Sequence, residues 1–380
     1  MRGPLRKLLL AVLVGVILGA LVYRARGAIK LQDFDWNRLG RSMRQARGSL
    51  LLVSVAGIYL GYAIRARRWV RLSRYLGQSS FTNVFSSTLI GFATVFLLGR
   101  AAEPVRPLLI ARKDRLPVSS TFGIYAIERV FDTASTAVIA GLALLFFPQL
   151  GSDGGLQGSV VTAARTTGLV LLVGLVAAIV SLVYLRLGGA KALERRLAGW
   201  HAASGWKRKL AGVFSGFSEG LQAIRTFPDL LAGIGYSVAH WALIAQIYVW
   251  VAHSFGGRLA ELDYPSAMLV LAFSMVGSTL QLPAIGGGSQ VASFLAFTVI
   301  FGVEEEPAAA AAIVLWLVTF AGSSLVGVPL LIREGCSMGE LRRLARAEAE
   351  AEAAGSHVTV PDVPRSSRRH KLEKEGDSPR

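Results

Sequence analysis

The sequence predicts an all-α fold, a polytopic bundle of about six full membrane spans plus two re-entrant broken hairpins in inverted repeats. Three observations predict it. The 380 residues are 53% hydrophobic and only 17% charged, whereas soluble domains carry roughly 25% charged residues. Mean hydropathy is +0.49. The charge is also segregated, with long apolar runs alternating with short basic stretches, the pattern of spans and cytoplasmic loops. That segregation assigns the net charge of +17 to anionic headgroups and excludes nucleic acid as a partner. One cysteine, Cys336, and five scattered histidines leave no basis for an internal disulfide, a metal cluster or another cofactor.

Along the chain, Leu8–Tyr23 follows a basic flank without a clean cleavage site and is expected to stay as a first helix. Ser49–Ile64 is the second span. An apolar run over Phe81–Leu98 breaks at Gly99–Pro107 and resumes toward Arg112, which predicts a broken hairpin. Spans follow at Ser119–Phe147 and Val160–Leu185. Leu193, Leu197 and Trp200, then Leu210, Phe214, Phe217 and Leu221, mark amphipathic helices beside Lys207, Arg208 and Lys209. The fifth span is Leu230–His253. A second broken region runs Pro265–Leu282, breaks at Pro283–Gly288 and resumes over Ser289–Phe301. Pro307–Ile332 closes the membrane domain, residues 1–333. Residues 334–380 read as a cytoplasmic charged helix and a disordered tail.

Loop charge sets the orientation. Arg65–Arg74 and Arg186–Arg225 are basic and expected in the cytoplasm, together with both termini, in a bacterial inner membrane. Pro148–Ser159, the region of Asp263, and Glu304–Glu306 are expected outside. These assignments hold if the first hairpin enters from the cytoplasm and the second from outside. Arg24–Gly48 runs against the rule, being placed outside with seven Arg or Lys against two Asp. Trp36, Leu39 and Met43 at helical spacing place it on the membrane surface. Paired broken segments in two inverted halves point to a transport site.

Charges inside apolar runs cost a few kcal/mol each and default to function. Glu128 and Asp132 lie four apart on one helical face, and Arg129 and Asp132 are spaced to pair. The same residues suit an internal lock between helices or a headgroup site. The first break places Arg100, Glu103 and Arg106 at a hairpin tip, where paired arginines bind phosphate bidentately; a solvated cytoplasmic turn is the plainer alternative. The second break is uncharged. Gly286 and Gly288 permit close backbone approach there, Ser289 is placed to cap the next helix, and Gln290 follows. It lacks the lysine of a nucleotide-binding loop. Arg68-Trp69 reads as an interfacial anchor, and His240 and Gln246 as a buried packing pair.

The order of these motifs resembles the flippase-like membrane domain of the lysylphosphatidylglycerol synthase family, which also occurs as stand-alone proteins and in archaeal glycosylation proteins. The resemblance rests on a Gly-Arg-x-x-Glu-x-x-Arg hairpin at Gly99, Arg100, Glu103 and Arg106, and on a Glu-Arg-x-x-Asp helix at Glu128, Arg129 and Asp132. A Pro-x-x-Gly-Gly-Gly-x-Gln break, with Pro283, Gly286 and Gly288, completes it. The chain departs from the family at Leu98, Ala102, Gln290 and Trp316, where Pro, Gly, an acid and Arg are usual. The resemblance implies a lipid-translocating fold without the aminoacyl-transferase domain, so the chain is not expected to make lysylphosphatidylglycerol. It further implies an anionic phospholipid or lipid-linked sugar as cargo. Arg100 and Arg106 would meet the phosphate, and Glu103, Glu128, Arg129 and Asp132 would line a polar path. A homo-oligomer or a biosynthetic partner fits the same reading. So does a second class, a membrane enzyme acting on a polyprenyl-phosphate or hopanoid lipid.

Overall fold

The computed structural model describes residues 34–116, 118–146, 226–278, 281–282 and 286–334, with single helical positions at Thr166, Leu169 and Val173. The expected span Leu8–Tyr23, all of Val160–Leu185 but those three positions, the amphipathic segments between 193 and 221 and the tail beyond Glu334 lie outside the described residues.

The described chain is helical apart from one two-residue ribbon. Helix α1 (Trp36–Gln45) starts where the Asp35 carboxylate accepts from the Asn37 N–H. It leads through Arg47 into α2 (Gly48–Ser73). The helix does not stop at Ile64, because Arg65, Arg68 and Trp69 find buried partners and carry the helical face onward to Leu72. Next comes α3 (Phe81–Leu98), which ends at Gly99 with φ 78°, a conformation that favours glycine. A 3₁₀ turn over Arg100–Ala102 then reverses the chain into α4 (Val105–Asp114). Helix α5 (Val118–Phe146) completes the first half.

The second half opens with α6 (Phe227–Ser254), capped by the reciprocal Thr226–Asp229 box with Pro228 in its first turn. Helix α7 (Tyr264–Gly277) is capped by Asp263, whose carboxylate accepts from the Ser266 N–H. Strands β1 (Gln281–Leu282) and β2 (Gly286–Gly287) pair antiparallel and form the tip. Helix α8 (Gly288–Leu295) descends and widens to π geometry over Ala296–Ile300. The last span, Glu305–Arg333, comprises α9 (Glu305–Trp316), a π segment over Leu317–Ala321 and α10 (Gly322–Arg333).

Among the described residues, Gly48–Ser73, Phe81–Leu98, Phe227–Ser254 and Glu305–Arg333 are each long and apolar enough to cross a membrane. Phe81–Leu98 is nevertheless one arm of a hairpin. Its partner α4 rises only about 15 Å, yet Asp114 at the far end of α4 accepts from Asn83 at the start of α3. The return arm is therefore about half the length of the outgoing one, and the chain comes back to the level it left.

The two halves interlock. Helices α2 and α6 run antiparallel and pack most extensively on one another. The last span lies on α3 of the first hairpin, and α5 lies on α7 of the second. Close backbone approach makes the first of these contacts and also joins the two arms of the second hairpin. A Cβ on Gly327 would sit 2.4 Å from the Leu89 carbonyl, and one on Gly277 2.2 Å from the Gly288 carbonyl across the second hairpin. One end of the bundle gathers Ser73, Phe81, Val118, Phe227 and Arg333. It is held by Asp229, which pairs with Arg71 and Arg74 and accepts from the Tyr75 hydroxyl, and by Lys113 with Glu334. The other end carries α1, which packs on α9. There Arg38 pairs with Glu304 at 2.6 Å, and the Asp35 N–H reaches Glu306. The basic segment before Gly48 thus sits with the acidic Glu304–Glu306 turn, which compensates the charge that made its placement anomalous by loop counting.

Candidate functional site

Arginines on three elements converge on two carboxylates. From α2, Arg65 and Arg68 project toward α5, three residues apart on the face that also carries Gly57, Gly61 and Trp69. Arg106 comes from the first turn of α4, close against Gly91 of α3, where a Cβ would meet Arg106 Cβ at 2.6 Å. On α5, Glu128 and Asp132 face all three. Glu128 Oε1 lies 3.1 Å from Arg65 Nη2, 2.9 Å from Arg68 Nη2 and 3.0 Å from Arg106 Nη1, which is also 2.8 Å from Oε2. Asp132 takes Arg65 at 2.5 Å, Arg68 at 3.0 Å and Arg129 at 3.1 Å. Arg68 and Glu128 are each 1% exposed and Arg106 4%, and Arg65 and Asp132 are buried with them, so all of these ions but Arg129 have left water.

Neighbouring helices complete the shell. Ser237 of α6 accepts from Arg68 at 2.7 Å, and its own hydroxyl donates to the Gly233 carbonyl. His240, one turn on, lies with Nε2 3.1 Å from Arg65 Nη1, so the ring accepts there and carries its proton on Nδ1. The Arg106 guanidinium lies over Trp69 at 5.0 Å, and that of Arg65 over Phe92 at 5.2 Å. The ten residues from Val118 to Glu128 rise about 15 Å, placing the cluster well inside the bundle.

The cluster is not saturated. Arg106 Nε and Nη2, Arg65 Nε, Trp69 Nε1 and His240 Nδ1 are buried without a hydrogen-bond partner among the described residues. At its rim Arg129 is 40% exposed, stacks on Tyr125 at 5.1 Å, and Tyr125 donates to Glu103 at 2.6 Å.

Of the residues singled out by sequence, Arg106, Glu128 and Asp132 form this cluster, and Arg129 and Glu103 border it. Arg100 is not there. Exposed at the first tip, it donates to the Ser278 carbonyl at 3.1 Å, so the tips of the two hairpins touch. Gly286, Gly288 and Gln290 build the second tip, where the Gly287 N–H donates to the Gln290 side chain. Ser289 is not the cap expected of it: Gly287 holds the cap position and the buried Ser289 hydroxyl has no partner among the described residues. Arg68-Trp69 is not an interfacial anchor either, since both side chains are 1% exposed and face the carboxylates and Arg106. His240 is buried but bonds to Arg65, not to Gln246. Reading Arg65–Arg74 as a loop hid two of the three central cations. The 4-4-3 spacing Gly57, Gly61, Arg65, Arg68 was the available signal.

Fold and cluster together define a polytopic helical membrane protein with interlocked hairpins and a charged seam inside. The chain belongs to the family described as lysylphosphatidylglycerol synthase TM region, which matches residues 8–327. It is similar to glycosyltransferase AglD of Haloferax volcanii, 26% identical over 286 residues. That match covers 69% of this chain and 45% of AglD, so the chain spans less than half the length of that protein.

Proposed function

We propose that this protein moves, or helps to move, an anionic phospholipid or lipid-linked sugar between the leaflets of a bacterial inner membrane. The coarser statement, a membrane protein in lipid- or glycolipid-related processes, follows from the family and from the AglD similarity. The buried seam carries the finer one. Ions this deep are expensive, persist where they pair, and in membrane proteins commonly mark passages or binding sites; here they line the contact between a hairpin arm and two helices of the bundle. The tips that touch through Arg100 and the Ser278 carbonyl are the elements whose rocking would open the seam to either side. Orientation in this reading follows the basic residues: Arg71, Arg74, Arg112, Lys113 and Arg333 face the cytoplasm, and α1 with Glu304–Glu306 faces out.

Reconstitution tests it. Liposomes holding the purified protein and a headgroup-labelled phospholipid should lose label to an external quencher faster than empty liposomes. Transfer by a folded wild-type protein that equals the empty control, across both phospholipid and polyprenyl-phosphate probes, would overturn the proposal.

The similarity to a glycosyltransferase favours a second reading, an enzyme or subunit of glycolipid synthesis. Against Glu128 or Asp132 as its base, each is already held by three guanidiniums. Lipid profiling of a deletion strain separates the two: an enzyme changes lipid species, a translocator their leaflet distribution.

A further inference from the structure

The cluster has a charge excess and a geometry that select among anions. At its centre three buried guanidiniums, Arg65, Arg68 and Arg106, face two carboxylates, Glu128 and Asp132. Adding the rim pair Arg129 and Glu103 leaves the same excess of one positive charge. That count is of the described residues; of the expected spans outside them, Leu8–Tyr23 carries no charge and Val160–Leu185 carries Arg165 and no acid. Among the described residues several donors of the cluster lack hydrogen-bond partners, and Arg106 carries two of them. Arg106 spends Nη1 on Glu128 and leaves Nε and Nη2 unmet on its other edge, while its face lies on Trp69, whose Nε1 is likewise unmet. A guanidinium edge offering two N–H groups matches two oxygens of a phosphate.

We propose that the corner made by Arg106 and Trp69 binds one singly charged phosphodiester, that of a lipid headgroup carrying no ammonium group. One negative charge neutralises the seam; a diphosphate overshoots it. A headgroup amine meets only acids that are already paired: Glu128 and Asp132 each lie within ion-pair distance of three arginines, although Glu128 Oε2 makes no hydrogen bond among the described residues, and Glu103 accepts from Tyr125. The family name points to an aminoacylated, cationic lipid; the chemistry of this cluster points to its unmodified anionic counterpart. Arg129, half out of the seam, marks the side from which the headgroup enters.

This rests on the proposed lipid translocation, and the test separates the two. Purified protein in detergent is titrated with short-chain phosphatidylglycerol, lysylphosphatidylglycerol, a prenyl diphosphate and inorganic phosphate, following thermal stabilisation. Phosphatidylglycerol should bind saturably, at least tenfold tighter than the other three. Arg106→Gln should abolish the shift. Trp69→Phe, which keeps an aromatic ring under the guanidinium and removes the N–H, should weaken it severalfold, the shift being read against that variant's own unliganded melt. Equal or tighter binding of lysylphosphatidylglycerol or the diphosphate overturns the inference, as does a folded Arg106→Gln protein that binds like wild type. Equal binding of inorganic phosphate overturns the lipid assignment and leaves a free-anion site. Binding as expected without leaflet transfer in liposomes overturns the translocation reading and leaves the site; transfer unaffected by Arg106→Gln does the reverse.

Discussion

At the scale of single residues, the seam is a buried ion cluster whose members are not equivalent. Removing one partner of a buried pair leaves an uncompensated charge and costs about 3–5 kcal/mol. Glu128→Gln fits that case, since it strands three guanidiniums opposite Asp132 alone. Arg106→Gln takes away the excess cation and leaves two arginines facing two carboxylates. Chemical unfolding in detergent should therefore show a loss of about 3–5 kcal/mol for Glu128→Gln and well under half of that for Arg106→Gln. The opposite order would mean that the cluster is not cation-rich. Half of this site was legible in the sequence. The Glu128/Asp132 spacing announced a shared face, and Arg106 stood in a recognisable break. Arg65 and Arg68 were hidden because a basic run beside an apolar one is the usual mark of a loop, and only tertiary partners on α5 and α6 keep it helical and buried.

At the scale of elements, small residues set how closely the halves interlock. Gly327 lets α10 lie on the α3 backbone, and Gly277 lets the two arms of the second hairpin touch. Overpacking a tight contact costs about 1–3 kcal/mol, and here the obstruction is a backbone carbonyl that has no rotamer to give. Gly327→Ala and Gly277→Ala should each reduce the yield of monodisperse protein on gel filtration. Gly235→Ala, with nothing within 4 Å of the added Cβ, should match wild type or gain a little from helix propensity of up to about 1 kcal/mol. The hairpins themselves were readable because Gly and Pro punctuate them. The ribbon at the second tip and the π segments at Ala296–Ile300 and Leu317–Ala321 were not. They arise from how the backbone settles against neighbours, which no local residue pattern encodes.

At the scale of the whole molecule, charge fastens the two ends as well as the buried seam, and the hairpin tips meet through a polar contact. One end is held by Asp229 with Arg71 and Arg74, the other by Arg38 with Glu304 and Glu306. Between them the hairpin tips meet where Arg100 donates to the Ser278 carbonyl. A cysteine scan reads the orientation in a Cys336→Ser background. Arg41→Cys should react with an impermeant maleimide added to intact cells, and Arg112→Cys only after permeabilisation; the reverse labelling would invert the topology. The tips make the sharper case. If transport requires one hairpin to move against the other, tethering them must stop it without unfolding either half. Arg100→Cys with Ser278→Cys, joined by a short bis-maleimide, should abolish leaflet transfer while the melting temperature stays at or above that of the untethered protein. Each single variant treated with the same reagent should still transfer lipid. Undiminished transfer by the tethered protein would place the moving parts elsewhere, in the contact of α5 with α7 or of α3 with α10, and leave the tips as a fixed floor under the seam.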